Sequence, residues 1–83
     1  MDKKTIIDKI CQAVAKQLRK PVSEVTPAKK LKEELHADSL DVVELMMNLE
    51  EEYDLTIPDD QLVKMQTIND VADFIDQALR EDN

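Results

Sequence analysis

His36, Asp38 and Ser39 are the residue types of a nucleophilic triad, and they stand within four positions of one another. Their crowding argues against hydrolysis. A serine, its base and the acid that orients the base cannot align over so short a stretch, and no loop suited to an oxyanion hole adjoins them. Metal chemistry has as little support, because the acids nearby lack the spacing of a rigid ligand loop. Cys11 is the one cysteine, so an internal disulfide and a thiolate metal cluster are both excluded. It falls on an apolar stripe and reads as a small buried hydrophobe. Ser39 is different. Asp38-Ser39-Leu40-Asp41 reads as a helix start, with Asp38 at the N-cap and Asp41 three positions on, both carboxylates favourable at the positive end of the helix dipole. A serine there is accessible. The plain alternative is a residue that only begins a helix.

The elements that must position Ser39 are helical. Ile7, Ile10, Cys11, Val14 and Leu18 follow helical spacing and predict a helix over about residues 3–19, stopped by Pro21. From Lys20 to Ala37 the pattern is irregular, with Val22, Val25, Leu31 and Leu35 as anchors to the core. A connection that long is tolerable only when it is pinned or functional. The second helix runs from Asp38 to Glu52 or Tyr53, its core face formed by Val42, Leu45, Met46, Leu49 and Tyr53. Leu40, Val43 and Met47 make a second, shorter apolar stripe beside it. Pro58 opens a short turn or helix over residues 59–65. Thr67-Ile68-Asn69-Asp70 is a capping-box variant that starts the last helix. Its stripe is Ile68, Val71, Ile75, Ala78 and Leu79, with Ala72 and Phe74 on the borders. No stretch alternates long enough for a strand. The expected fold is all-α: a small four-helix bundle, three main helices plus one short helix, with a long first loop.

Composition narrows the function. Nineteen acids against eleven bases give the 83 residues a formal charge of -8. Such a surface repels nucleic acid and anionic lipid and attracts basic protein patches. Glycine is absent, which removes Walker loops, dinucleotide fingerprints and EF-hand loops. No apolar run is long enough to cross a membrane, and the first residues are mixed polar and apolar rather than a signal-peptide core, so the expected compartment is the cytoplasm. Between Lys32 and Lys64 there is no lysine or arginine at all, while eleven acids fall in that stretch, centred on the second helix. A solvated helix face is the bland account. The apolar stripe of Leu40, Val43 and Met47 beside those acids favours brief docking on basic partners, with charge speeding encounter and the apolar patch setting the fit.

Ala37-Asp38-Ser39-Leu40-Asp41-Val42-Val43-Glu44-Leu45 resembles the modification site of the acyl carrier proteins. Leu49-Glu50-Glu51-Glu52-Tyr53, Ile57-Pro58-Asp59-Asp60 and Lys64-Met65-Gln66-Thr67-Ile68 look like further segments of that family, so the resemblance spans essentially the whole chain. It is strongest to the free-standing bacterial carrier of type II fatty-acid synthesis. The resemblance implies a non-catalytic carrier domain over residues 1–83, with 4′-phosphopantetheine from coenzyme A attached to Ser39 and growing acyl chains held on it as thioesters. It implies a phosphopantetheinyl transferase (holo-acyl-carrier-protein synthase), acyltransferases and fatty-acid synthesis enzymes with basic patches as partners of a monomer. Asp38, Leu40, Asp41, Val43, Glu44, Met47, Glu50 and Glu51 match positions that the family uses to meet them. A polyketide or aminoacyl carrier of the same fold is the alternative. The resemblance also implies a core that parts to admit the acyl chain, and this core is aliphatic with Met46 and Met47 as pliable fillers. Burial of an eight-carbon chain there would gain roughly 5 kcal/mol before costs. One departure stands out: His36 replaces the family's usual Gly two residues before the Asp, which argues against a left-handed backbone there.

Overall fold

In the computed structural model, which describes residues 2–81, α1 spans Lys3–Leu18, α2 Ser39–Tyr53, α3 Asp59–Leu62 and α4 Ile68–Glu81. Among the described residues there is no strand, and the one β-type contact is an isolated bridge between Lys30 and Thr67. The fold is the expected all-α bundle of three main helices and one short one. The ends of the expected 1–83 domain, residues 1, 82 and 83, lie outside the described residues.

Each long helix starts on a side-chain cap. Asp2 accepts the Thr5 amide at 2.9 Å and opens α1, an arrangement that also lowers the Asp2 carboxyl pKa. Asp38 and Asp41 form a reciprocal capping box at α2. At α4, Thr67 Oγ1 accepts the Asp70 amide while Asp70 Oδ2 accepts the Thr67 amide, both at 3.1 Å. The helix ends are as definite. Arg19 and Asp54 are left-handed (φ 58° and 52°), and the following amides, of Lys20 and Leu55, reach back to Ala15 and Glu50 carbonyls.

The core is one cluster built from all three long helices and the first loop. Ile6, Ile10 and Val14 of α1 meet Ile68, Val71 and Ile75 of α4 and Leu45, Met46 and Leu49 of α2 within it. The buried arc of α1 is turned from the expected stripe: Ile6 is fully buried, whereas Ile7 and Leu18 are half-buried. The reason is that α1 packs against both α4 and α2, so two neighbours share its apolar surface. Similarly, Ala72 is in the core rather than on a border, and Ala78 and Leu79 are only partly covered. Val42 is half-buried rather than fully in the core.

The 20–37 connection is anchored, not loose. Val25, Leu31, Leu35 and Ala37 are buried, and the chain's radius of gyration of 11.8 Å is what a compact chain of this size has. Val22 fails as an anchor. It lies in a 3₁₀ turn at Val22–Glu24 and is 53% exposed, leaving Val25 to enter the core. Backbone bonds tie the loop to the start of α4: Leu31 N–H to Gln66 O at 2.8 Å and Asn69 N–H to Pro27 O at 3.0 Å.

His36 is left-handed, φ 62°, contrary to the expectation drawn from its side chain. Leu35 and Ala37 are buried on either side of it, so the path between them sets the dihedral and His36 itself stays exposed. A His36→Gly substitution relieves a left-handed penalty larger than the unfolded-state entropy it adds, so stability should rise by about 0.5–1 kcal/mol in a urea melt, while His36→Val lowers it.

Tyr53 is buried with its hydroxyl lacking a hydrogen-bond partner among the described residues, and desolvation, reinforced by Glu52, raises its pKa above 10.0. A phenol whose folded pKa is raised favours folding fully below its unfolded value and loses that contribution as pH rises through the folded one. Absorbance titration of this single tyrosine should therefore give an upshifted midpoint that returns towards 10 on denaturation. Tyr53→Phe should cost no more than a few tenths of a kcal/mol, because the hydroxyl it removes is unpaired.

Candidate functional site

The site begins with the capping box. Asp38 Oδ1 accepts the Asp41 amide at 2.8 Å and Asp41 Oδ2 accepts the Asp38 amide at 3.1 Å, so both carboxylates that bracket Ser39 in sequence are engaged with backbone donors. Gln17 of α1 donates through Nε2 to the Asp41 carbonyl at 2.7 Å and ties this first turn to the bundle. The other polar end of that amide, Gln17 Oε1, is buried without a partner among the described residues.

Ser39 is the first residue of α2 and is exposed. Its hydroxyl oxygen accepts a long hydrogen bond, 3.4 Å, from Lys32 Nζ. His36, by contrast, makes no hydrogen bond to Ser39 among the described residues, so the three residue types of a triad are brought near in sequence without being brought into line. Nor do the described residues include any group of three or more His, Cys, Asp or Glu placed to hold a metal ion.

Ser39 stands at the edge of a cleft of about 370 Å³. Leu31, Val42, Val43, Leu62, Val63 and Met65 form its apolar lining, and Lys30, Lys32, Glu33 and Gln66 join Ser39 as its polar residues. Its volume is at the lower end for small-molecule sites. A second, much smaller void of about 10 Å³ lies between α1, the loop and α2, touching Gln17, Ala37 and Leu45. The larger cleft opens between the pinned loop, α2 and the segment around α3.

The residues that the sequence marks for docking do not all behave alike. Leu40, Val43 and Met47 are 78%, 46% and 59% exposed, so the second apolar stripe of α2 faces out. Met47 is thus no core filler and does not line the cleft, whereas Met46 is buried as expected. Asp38, Glu44 and Glu51 are exposed. Asp41 and Glu50 are half-buried, and Glu50 Oε2 accepts the Ile57 amide at 2.9 Å, bracing the turn from α2 to α3. Val63, 74% exposed on the far wall of the cleft, and Lys32 are site residues that sequence patterning did not single out. Val63 lies past the end of a one-turn helix, where periodicity carries no signal, and Lys32 lies in an irregular loop seven residues before the serine it touches. Cys11 is buried and its thiol pKa is pushed up by desolvation, which leaves it little reactive.

The family model for the phosphopantetheine attachment site matches residues 8–75. The acyl carrier protein of an Exiguobacterium strain is 43% identical over 79 residues, covering 95% of this chain and 100% of that one. That of Thermosynechococcus vestitus is 45% identical over 79 residues, covering 95% and 98%. Among solved structures, the thermally stable acyl carrier protein of Enterococcus faecalis superposes with a TM-score of 0.75 at 27% identity, over 90% of this chain and 95% of that one. Likeness at this level from end to end, in sequence and in fold, makes the chain a member of the acyl carrier proteins, carriers rather than catalysts, built around a phosphopantetheine attachment site.

Proposed function

We propose that Ser39 is the attachment residue for 4′-phosphopantetheine, and that residues 1–83 serve as one cytoplasmic carrier domain presenting growing fatty acyl chains to the enzymes of fatty-acid synthesis. The observation that carries this reading is the exposed Ser39 hydroxyl at the edge of an apolar cleft, next to an ammonium, with its two flanking carboxylates engaged in a capping box. The residues fit the group: a phosphodiester needs a reachable hydroxyl and tolerates a cation beside it, and an attached arm needs apolar surface nearby for its cargo. When bound, the group supplies a terminal thiol that holds acyl chains as thioesters. Delivery gains from the tether, which raises the local concentration of substrate at a docked enzyme.

This chain's own contribution is display and docking. α2 presents Ser39 from a helix start held rigid by Asp38, Asp41 and Gln17. Leu40, Val43 and Met47 offer apolar contact, with Asp38, Asp41, Glu44, Glu50 and Glu51 as the acidic surround. Basic patches on a phosphopantetheinyl transferase, on acyltransferases and on synthesis enzymes complement this face.

The test is mass spectrometry after incubation with coenzyme A and a broad-specificity phosphopantetheinyl transferase. One phosphopantetheine on the Ser39 peptide, absent from Ser39→Ala, is expected; no addition to folded protein beside a working control carrier would refute the reading. Charge reversal separates docking from display. Glu44→Lys, at an exposed position, should lower the transferase kcat/KM by about tenfold at low ionic strength, with the difference shrinking at high salt. Glu50→Ala should lower thermal stability as well, because it removes the carboxylate that accepts the Ile57 amide.

A further inference from the structure

Lys32 is the last base before the acidic stretch, and the fold delivers it to Ser39. Its neighbour Leu31 is 2% exposed and bonded through its amide to Gln66 O, so the backbone that carries Lys32 is fixed. Lys30, the other base on the cleft, has its ammonium 3.3 Å from Glu33 Oε2. Lys32 instead reaches 3.4 Å from Ser39 Oγ. An ammonium within reach of that oxygen is also within reach of an anion built on it, and Asp38 and Asp41 would otherwise oppose such an anion.

Resting on the reading of Ser39 as the modified serine, we infer that Lys32 is a positioning residue for the prosthetic group. Its ammonium pairs with the phosphodiester on Ser39 and holds the root of the arm at the mouth of the cleft. The same contact offsets the repulsion between the new phosphate and the capping carboxylates. Without the ammonium the arm would still attach, but its root would turn more freely. Arginine retains the pairing; glutamine, of similar length and uncharged, does not.

The test uses apo protein and protein loaded from coenzyme A by the transferase, both treated with an amine-acetylating reagent and read peptide by peptide. Lys32 should be acetylated about two- to fivefold more slowly in the loaded protein, the range that an exposed ion pair supports, while Lys4 and Lys64 keep their rates. The protection should vanish at molar salt. ³¹P NMR of loaded Lys32→Gln should show a shifted, narrower phosphodiester signal whose transverse relaxation is slowed by motion closer to that of a free arm, and Lys32→Arg should keep the parent signal. Full loading at Ser39 with equal acetylation of Lys32 in both forms, or an unchanged ³¹P signal in Lys32→Gln, overturns the role of Lys32 alone. Failure of the parent protein to load at Ser39 overturns both readings.

Discussion

Burial of Leu31, with its amide bonded to the Gln66 carbonyl, is the contact on which the site depends. It joins the middle of the long first loop to the entry of α4, and the bond from Asn69 to Pro27 secures the same junction from the other side. A loop this long closed on itself would carry an entropic cost with little return. Four buried apolar residues and these backbone bonds change that, since the loop becomes one wall of the bundle. Leu31 also lines the cleft beside Ser39, so the same side chain that closes the core shapes the candidate site.

Charge is arranged around that anchor with two uses for the same residue type. Asp38, Asp41 and Glu50 spend their lone pairs on backbone amides, which stiffens the start of α2 and the turn after it. Glu44 and Glu51 are exposed and contribute field rather than structure. Capping carboxylates keep their formal charge while bonded, so the structural acids add to the same negative face. The capping charges of the proposed docking face are therefore immobile, and immobile charges lose little entropy when they are paired. The apolar Leu40, Val43 and Met47 sit among them as the part of the surface that water leaves most readily.

The helices and their starts were legible because their signals are local. Asp38 and Asp41 at cap spacing, Thr67 and Asp70 at cap spacing, and apolar residues at helical intervals each need only a few neighbouring positions to be read. What escaped was set by tertiary context. Which of Ile6 and Ile7 is deeper depends on α1 having two packing partners, and Val22 turns outward because a 3₁₀ turn intervenes where no periodicity exists. Met47 illustrates the same limit. Methionine is suited to a core or to an adaptable surface, and only the packing around α2 decides between them. The contact from Lys32 to Ser39 had no sequence signature at all, since it depends on where a pinned irregular loop passes a helix start.

The lack of glycine connects these threads. Among the described residues three are left-handed, and Arg19, His36 and Asp54 fill those places. Two of the three close helices, where the return bonds from Lys20 and Leu55 compensate directly. His36 closes none. Its strain is held by the burial of Leu35 and Ala37 on either side and by the Ala37 amide bonded to the Leu31 carbonyl at 2.9 Å. The chain leaving this constrained residue enters the capping box within two positions, so the direction of the first turn of α2 is fixed from behind as well as from within. A strained residue held in place by buried neighbours can be part of a site's preorganisation. Here it lies between the loop that carries Lys32 and the helix that carries Ser39.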